Sequence, residues 1–222
     1  MSARGVLLEL PTRLSGRGDA SRQCLPRTTP VGALDDVSAA VDPRVRAAVA
    51  GDRAALAAVL TELLPRMRNL VRYLLPGDQD VDDVTQEALI AIVRGLATYR
   101  GEGRLESWAD RVTARQAMAS ARQRSVARAR FSLVPEQDLE LLADRTGANQ
   151  EDYVARRQVV RQLDAIPEAQ RQVLVLHHVV GLAVGEIAAE LGVPLETVRS
   201  RLRLGKARFN QLFATSASGS DE

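Results

Sequence analysis

A chain of 222 residues has room for one good core or two small ones. Aromatics are only 3% of it and the apolar content comes from Ala, Leu and Val, a mix that favours helices over strands and predicts an all-α fold. Thirty basic residues nearly balance 28 acidic ones, no apolar run is long enough to insert in a membrane, and the single cysteine, Cys24, excludes an internal disulfide framework and fits a reducing cytoplasm.

Residues 1–40 hold Pro11, Pro26, Pro30 and four glycines without sustained periodicity, which predicts a disordered N-terminal extension. Their apolar cluster VLLEL is interrupted by Glu9 and is too short for a signal peptide. From residue 41 the pattern turns helical. DPRVRAAVA offers Asp42 as a cap and Pro43 at the first helical position, and a long helical stretch follows to Leu75, restarted or kinked at Pro65. PGD at 76–78 breaks the chain. A third helix is predicted from about 80 to 98, TYRGEGRLES forms a loop around Gly101 and Gly103, and a fourth helix spans roughly 105–128. The first helical domain thus covers 41–130. An acidic stretch with Pro135 and Gly147 reads as a flexible, solvated linker over 131–153. A second helical domain, 154–213, is divided at Pro167, Gly181 and Gly192-Val193-Pro194, and residues 214–222 form a polar tail.

Charge is distributed unevenly along this frame. DQDVDDVTQE, at 78–87, has five acids and no base, whereas residues 111–130 have six arginines and no acid. Such asymmetry predicts separate surfaces for separate partners.

The second domain contains VGEIAAELGVPLETVRSRL, which has the spacing of a helix-turn-helix. Ile187, Leu191, Val193, Val198 and Leu202 fall where the two helices must pack, Ala188 sits where a larger side chain would separate them, and Gly192 suits a left-handed turn. On a helical wheel Val198, Leu202, Gly205 and Phe209 share the inner side. Glu196, Thr197, Arg199, Ser200 and Arg203 are placed to reach base edges, while Arg201, Lys206 and Arg208 flank them for phosphate. A helical hairpin that binds protein instead of DNA has the same spacing. His177 and His178 are adjacent, hence about 100° apart on a helix, and cannot face one metal together. No catalytic triad, phosphate loop or paired catalytic carboxylates can be assembled. Neither an enzyme nor a cofactor nor a metal site is expected.

In the acidic segment Val81, Val84, Ala88 and Ile92 form a core stripe. Asp78 and Asp80 are expected to cap the helix, with the other acids complementing its positive end. That leaves Ile90 and Val93 unexplained in the outward polar stripe. Acids beside exposed aliphatics suggest a helix that docks on a basic, partly apolar partner.

AGDRAALAAVL, DVDDVTQEALIAI, YRGEGRLESWADRV and IPEAQRQVLVLHHVVGLAVGEIAAELGVPLETVRSRL occur here in one order and spacing. With them the chain resembles, over about residues 42–213, the extracytoplasmic-function (ECF) group of bacterial sigma-70 family sigma factors, the initiation subunits of RNA polymerase. The resemblance implies that 41–130 is a region 2 domain and 154–213 a region 4 domain. It implies that Asp82, Asp83, Gln86, Glu87 and Ile90 bind core RNA polymerase. It also implies that residues 99–107 and the helix after them capture and open the minus-ten element of promoter DNA.

Strand opening needs cations for phosphate and a receptacle for an unstacked base. Arg100, Arg111, Arg115, Arg122 and Arg124 are the candidate cations, with Tyr99 and Gln116 as further minus-ten residues; Trp108 reads as a core anchor. The family's usual Asn is Gln116 here, the Asp a turn later is missing from AMASA, and Leu204 stands where an arginine is common. The promoter sequence therefore cannot be carried over. The resemblance further implies an anti-sigma factor as a partner. A free-standing helix-turn-helix regulator remains the alternative, and a sigma-like protein acting only through protein contacts is a third.

Overall fold

The computed structural model describes residues 42–131 and 150–218. The expected extension at 1–40 and nearly all of the expected linker, including Asp138, Glu140 and Asp144, lie outside the described residues. Among the described residues the fold is all-α: eight α-helices, one 3-10 turn and no strand.

The first two helix starts follow from aspartate side chains. In α1 (Pro43–Val49) the Asp42 carboxylate accepts the Arg44 backbone N–H at 2.8 Å, and Pro43 occupies a position where a missing N–H costs nothing. The long helical stretch expected to run on to Leu75 is divided instead. Gly51 takes a φ of 100°, open to glycine at little cost, and Asp52 starts a new helix by accepting from Ala54 and Ala55 N–H at 2.8 and 3.1 Å. This helix, α2 (Arg53–Leu74), is continuous across Pro65, whose ring lies on the exposed side while Leu63 and Met67 on either side are buried.

α3 (Val81–Gly95) buries Val81, Val84, Ala88 and Ile92, the stripe predicted from its periodicity. Its capping differs from expectation. Asp80 stands at the cap position without a side-chain capping bond, because its carboxylate pairs with Arg124; that of Asp78 pairs with Arg72. A 3-10 turn (Leu96–Thr98) and a glycine-bent loop lead to α4 (Leu105–Phe131). α1 to α4 pack around Val59, Leu63, Met67, Ile92 and Ala109, with Trp108 against that core as expected. A methyl added to Gly95 would lie 3.3 Å from the Trp108 ring, so a larger residue there would make the ring shift by a few tenths of an ångström.

The second lobe contains α5 (Gln150–Asp164), α6 (Glu168–His178), α7 (Val184–Leu191) and α8 (Leu195–Ser218). α8 extends past the expected start of the polar tail at 214. Its inner side, Val198, Gly205 and Phe209, is buried, and a methyl on Gly205 would lie 3.2 Å from the carbonyl oxygen of Gln170. Any larger residue at that position would have to push α8 and α6 apart by a few tenths of an ångström.

One buried cluster spans both lobes. Leu70, Leu74 and Met118 of the first join Leu163, Leu174 and Leu176 of the second, and α2 packs on α5 and α6. Each such side chain, fully buried, contributes roughly 1.5–3 kcal/mol. Arg72 on α2 reaches across to Asp164 at the end of α5, with contacts of 2.9 and 2.5 Å.

Candidate nucleic-acid interface

The outward side of α3 is built by subtraction. Once its apolar stripe is buried, Asp82, Asp83, Gln86 and Glu87 are left exposed, and with them Ile90 and Val93 at 45% and 41% exposure. Asp82 is bridged by Arg68 at 2.8 Å and still keeps most of its surface in water. The five residues expected to bind polymerase thus share one exposed side of a single helix. Two exposed aliphatics in an acidic field form a surface that a partner can bury at a gain.

The loop before α4 is held by Tyr99. Its hydroxyl donates to the Gly103 carbonyl at 2.7 Å, and its ring lies 5.8 Å from that of Trp108, tilted by 49°. Beside it a cleft of about 380 Å³ is lined by Val59, Leu63, Leu105, Arg44 and Arg104 among others. Arg104 holds the Glu106 carboxyl below its usual range. Arg100, Arg111, Arg115 and Arg122 are exposed and Gln116 is half-buried. The four candidate cations on α4 have different surroundings. Arg124 is turned to Asp80 and Ser120, and Arg122 donates to the Met118 carbonyl on its own helix. Arg115 reaches Glu190 at 3.3 Å and Arg111 reaches Glu186 at 3.7 Å, both acids on α7 of the other lobe. Sequence reasoning passed over Glu186 and Glu190. With a separation of 75 residues between Arg115 and Glu190, no local pattern marks the pairing.

The helix-turn-helix is α7, the turn at Gly192 and α8. Gly192 takes the left-handed φ of 64° that ends α7, and Ile187 and Val198 are fully buried between the helices. Glu186 accepts the Ala183 N–H at 2.7 Å and so caps α7 from within its first turn. On α8 Glu196, Arg199, Ser200, Arg203 and Lys206 are exposed, and Thr197 and Arg201 half-buried. Glu196 and Arg199 pair with each other. Leu204 adds an exposed apolar patch to this polar side. The exposed residues suit a major-groove edge, with cations alongside for phosphate.

The two histidines have different surroundings. His177 Nδ1 lies 3.0 Å from the Leu182 carbonyl. The His178 ring is partly buried, and burial, followed by His177 and Lys206, pushes its pKa below the ordinary histidine value. Among the described residues no cluster of His, Cys, Asp or Glu could hold a metal, and no helix is long and apolar enough to cross a membrane.

An ion network missed in the sequence ties the lobes. Asp164 accepts from Arg72 and, at 3.4 Å, from Arg171 on α6, whose side chain is almost wholly buried. Burial lowers the pKa of Arg171, against the pull of Asp164.

Two family models match the chain: sigma-70 region 2 over residues 59–126 and sigma-70 region 4 over residues 156–209. Among curated relatives, the ECF RNA polymerase sigma factor SigE of Mycolicibacterium smegmatis is 34% identical over 149 residues, a match that covers 66% of this chain and 57% of that relative. The ECF RNA polymerase sigma-E factor of Escherichia coli K12 is 30% identical over 165 residues, covering 68% of this chain and 83% of the relative. Among solved structures, the sigma factor RpoE from Bartonella quintana, in complex with the anti-sigma factor NepR, superposes with a TM-score of 0.51. It is 17% identical, and the match covers 73% of this chain and 96% of that one.

Proposed function

The chain belongs to the ECF RNA polymerase sigma factors of the sigma-70 family, and from that premise we propose that it docks on core RNA polymerase through α3 and directs it to promoter DNA through α4 and α8. The observation that carries this reading is the exposed side of α3. Asp82, Asp83, Gln86 and Glu87 precede Ile90 and Val93 on the same helix, and these two aliphatics stand in water although the stripe of Val81, Val84, Ala88 and Ile92 is buried. A regulator that binds duplex DNA alone has no use for such a surface, and a polymerase subunit with a basic, partly apolar docking site does.

In this role the protein is a specificity subunit, not itself an enzyme, working in the cytoplasm without a cofactor. Arg100, Arg111, Arg115 and Arg122 are the cations offered to the displaced minus-ten strand, with Tyr99 and Gln116 near the bases. Arg124, bound to Asp80, serves chiefly to brace α4 against the start of α3. Glu196, Thr197, Arg199, Ser200 and Arg203 read the minus-thirty-five duplex, and Arg201 and Lys206 hold its backbone. An anti-sigma factor is the regulatory partner that fits a chain of this family. The experiment is a binding titration of the full chain with purified core polymerase. Saturable, stoichiometric binding is expected; failure to bind core, together with tight binding to duplex DNA alone, would favour a free-standing regulator.

A further inference from the structure

Arg111 and Arg115 of α4 each meet a carboxylate of the second lobe. Glu186 lies 3.7 Å from Arg111 and Glu190 lies 3.3 Å from Arg115. The two acids are one helical turn apart on α7, as the two arginines are on α4, so the helices present matched pairs. Between them lies a cleft of about 330 Å³ with an apolar floor that includes Ala114, Met118, Leu176 and Leu182. The lobes are held together beneath it by the shared core and by Arg72 bridging to Asp164.

From this juxtaposition we infer that the free chain is partly self-masking: Glu186 and Glu190 of the helix-turn-helix occupy, in place of DNA phosphates, two of the four arginines offered to the minus-ten strand. The inference deepens the proposed function and rests on the reading of α4 as a strand-capturing helix. A carboxylate and a phosphate oxygen make the same charge-assisted contact with a guanidinium, so the two ligands exclude one another. Both ion pairs are roughly half exposed, hence weak singly and screened by salt. They gain leverage from the apolar contact below them, which keeps the partners at high effective concentration.

Masking is one-sided. On α8 Glu196, Arg199, Ser200 and Arg203 remain exposed while Arg111 and Arg115 are engaged. The closed chain keeps its duplex-reading helix available and withholds Arg111 and Arg115 of its strand-capturing one. Separation of α7 from α4 then becomes a condition for strand capture by these two.

The test uses the full chain and a fluorescein-labelled single-stranded oligothymidylate, read by anisotropy over a range of salt. Glu186→Gln combined with Glu190→Gln removes both charges, and a glutamine at 186 still accepts the Ala183 N–H that caps α7. This variant should bind the oligonucleotide several-fold more tightly than wild type, with a salt slope steeper by about 1.4 units, two freed phosphate contacts at about 0.7 each. Adding Arg111→Ala and Arg115→Ala should abolish the gain. Unchanged affinity would overturn the inference, and so would a gain that survives loss of the arginines, since that reports net charge alone. Run-off transcription with core polymerase separates this outcome from the function. Initiation without an arginine-dependent gain removes the masking and leaves the sigma reading, and a gain without initiation does the reverse.

Discussion

Asp164→Asn strands a buried cation, and its cost can be worked from the geometry. The Asp164 carboxylate serves two guanidinium groups, Arg72 at 2.9 and 2.5 Å and Arg171 at 3.4 Å. Arg72 keeps Asp78 and the Leu75 carbonyl after the substitution. Arg171 keeps much less. Its side chain is 2% exposed, its Nε has no hydrogen-bond partner, and Glu168 acts on it only as a more remote charge. At an effective dielectric of about 20, a pair 3.4 Å apart is worth roughly 5 kcal/mol before desolvation. Asp164 is itself about a third exposed, so water can partly replace its charge and the net loss should be about 3 kcal/mol, the low end for a broken buried pair. For a chain of this size that is a fall in Tm of roughly 6–12 °C. The assay is urea and thermal unfolding of the full chain followed by circular dichroism. Arg171→Met added to Asp164→Asn should recover part of the loss, because the uncompensated charge is then gone. A single variant within about 1 kcal/mol of wild type, or a double variant no more stable than the single, would refute the reasoning.

Reversing charge at Asp83 and Glu87, both exposed on α3, should weaken core polymerase binding about tenfold or more and leave Tm unchanged; undiminished capture in a pull-down removes the docking assignment. Arg203→Ala should cost about 1–3 kcal/mol on the preferred minus-thirty-five sequence and relax discrimination there. Arg208→Ala, on a flank five residues further along, should weaken all sequences alike and reduce the duplex salt slope by roughly one unit; equal losses on every sequence for Arg203→Ala would point to Arg199 as the reader. His178 should make stability pH-dependent. Its folded pKa is depressed by burial, so the unfolded chain takes up the proton first and stability, full above the ordinary value of about 6.5, falls as pH drops below it. His178→Gln should flatten that fall, and an unchanged pH profile of Tm would contradict the assignment.

Much of the local structure was legible because helical periodicity and turn chemistry are local. Val81, Val84, Ala88 and Ile92 are buried as their spacing predicts, Asp42 caps α1, and Gly192 takes its left-handed turn. The exposed aliphatics of α3 were visible by the same logic, as apolar residues on the wrong side of the wheel. Pro65 does not restart the helix, one of the two outcomes expected for it: the rule for proline prices one lost hydrogen bond and ignores buried Leu63 and Met67, which keep α2 on the core. Asp78 and Asp80 read as caps because aspartate before a helix usually is one, and nothing local announces Arg72 or Arg124 as their partners. The pairs that join the lobes were illegible for the same reason. Glu186 looks like an ordinary first-turn acid of α7, and its position opposite Arg111 depends on how two lobes distant in sequence come together.

The central claim is tested most directly by run-off transcription, using core polymerase, the full chain and a template carrying the upstream region of its own coding sequence. A discrete transcript is expected only when core and chain are both present, and it should be lost when Asp83 and Glu87 carry reversed charge. No transcript with wild type, while the chain alone retards the same duplex, would contradict the account.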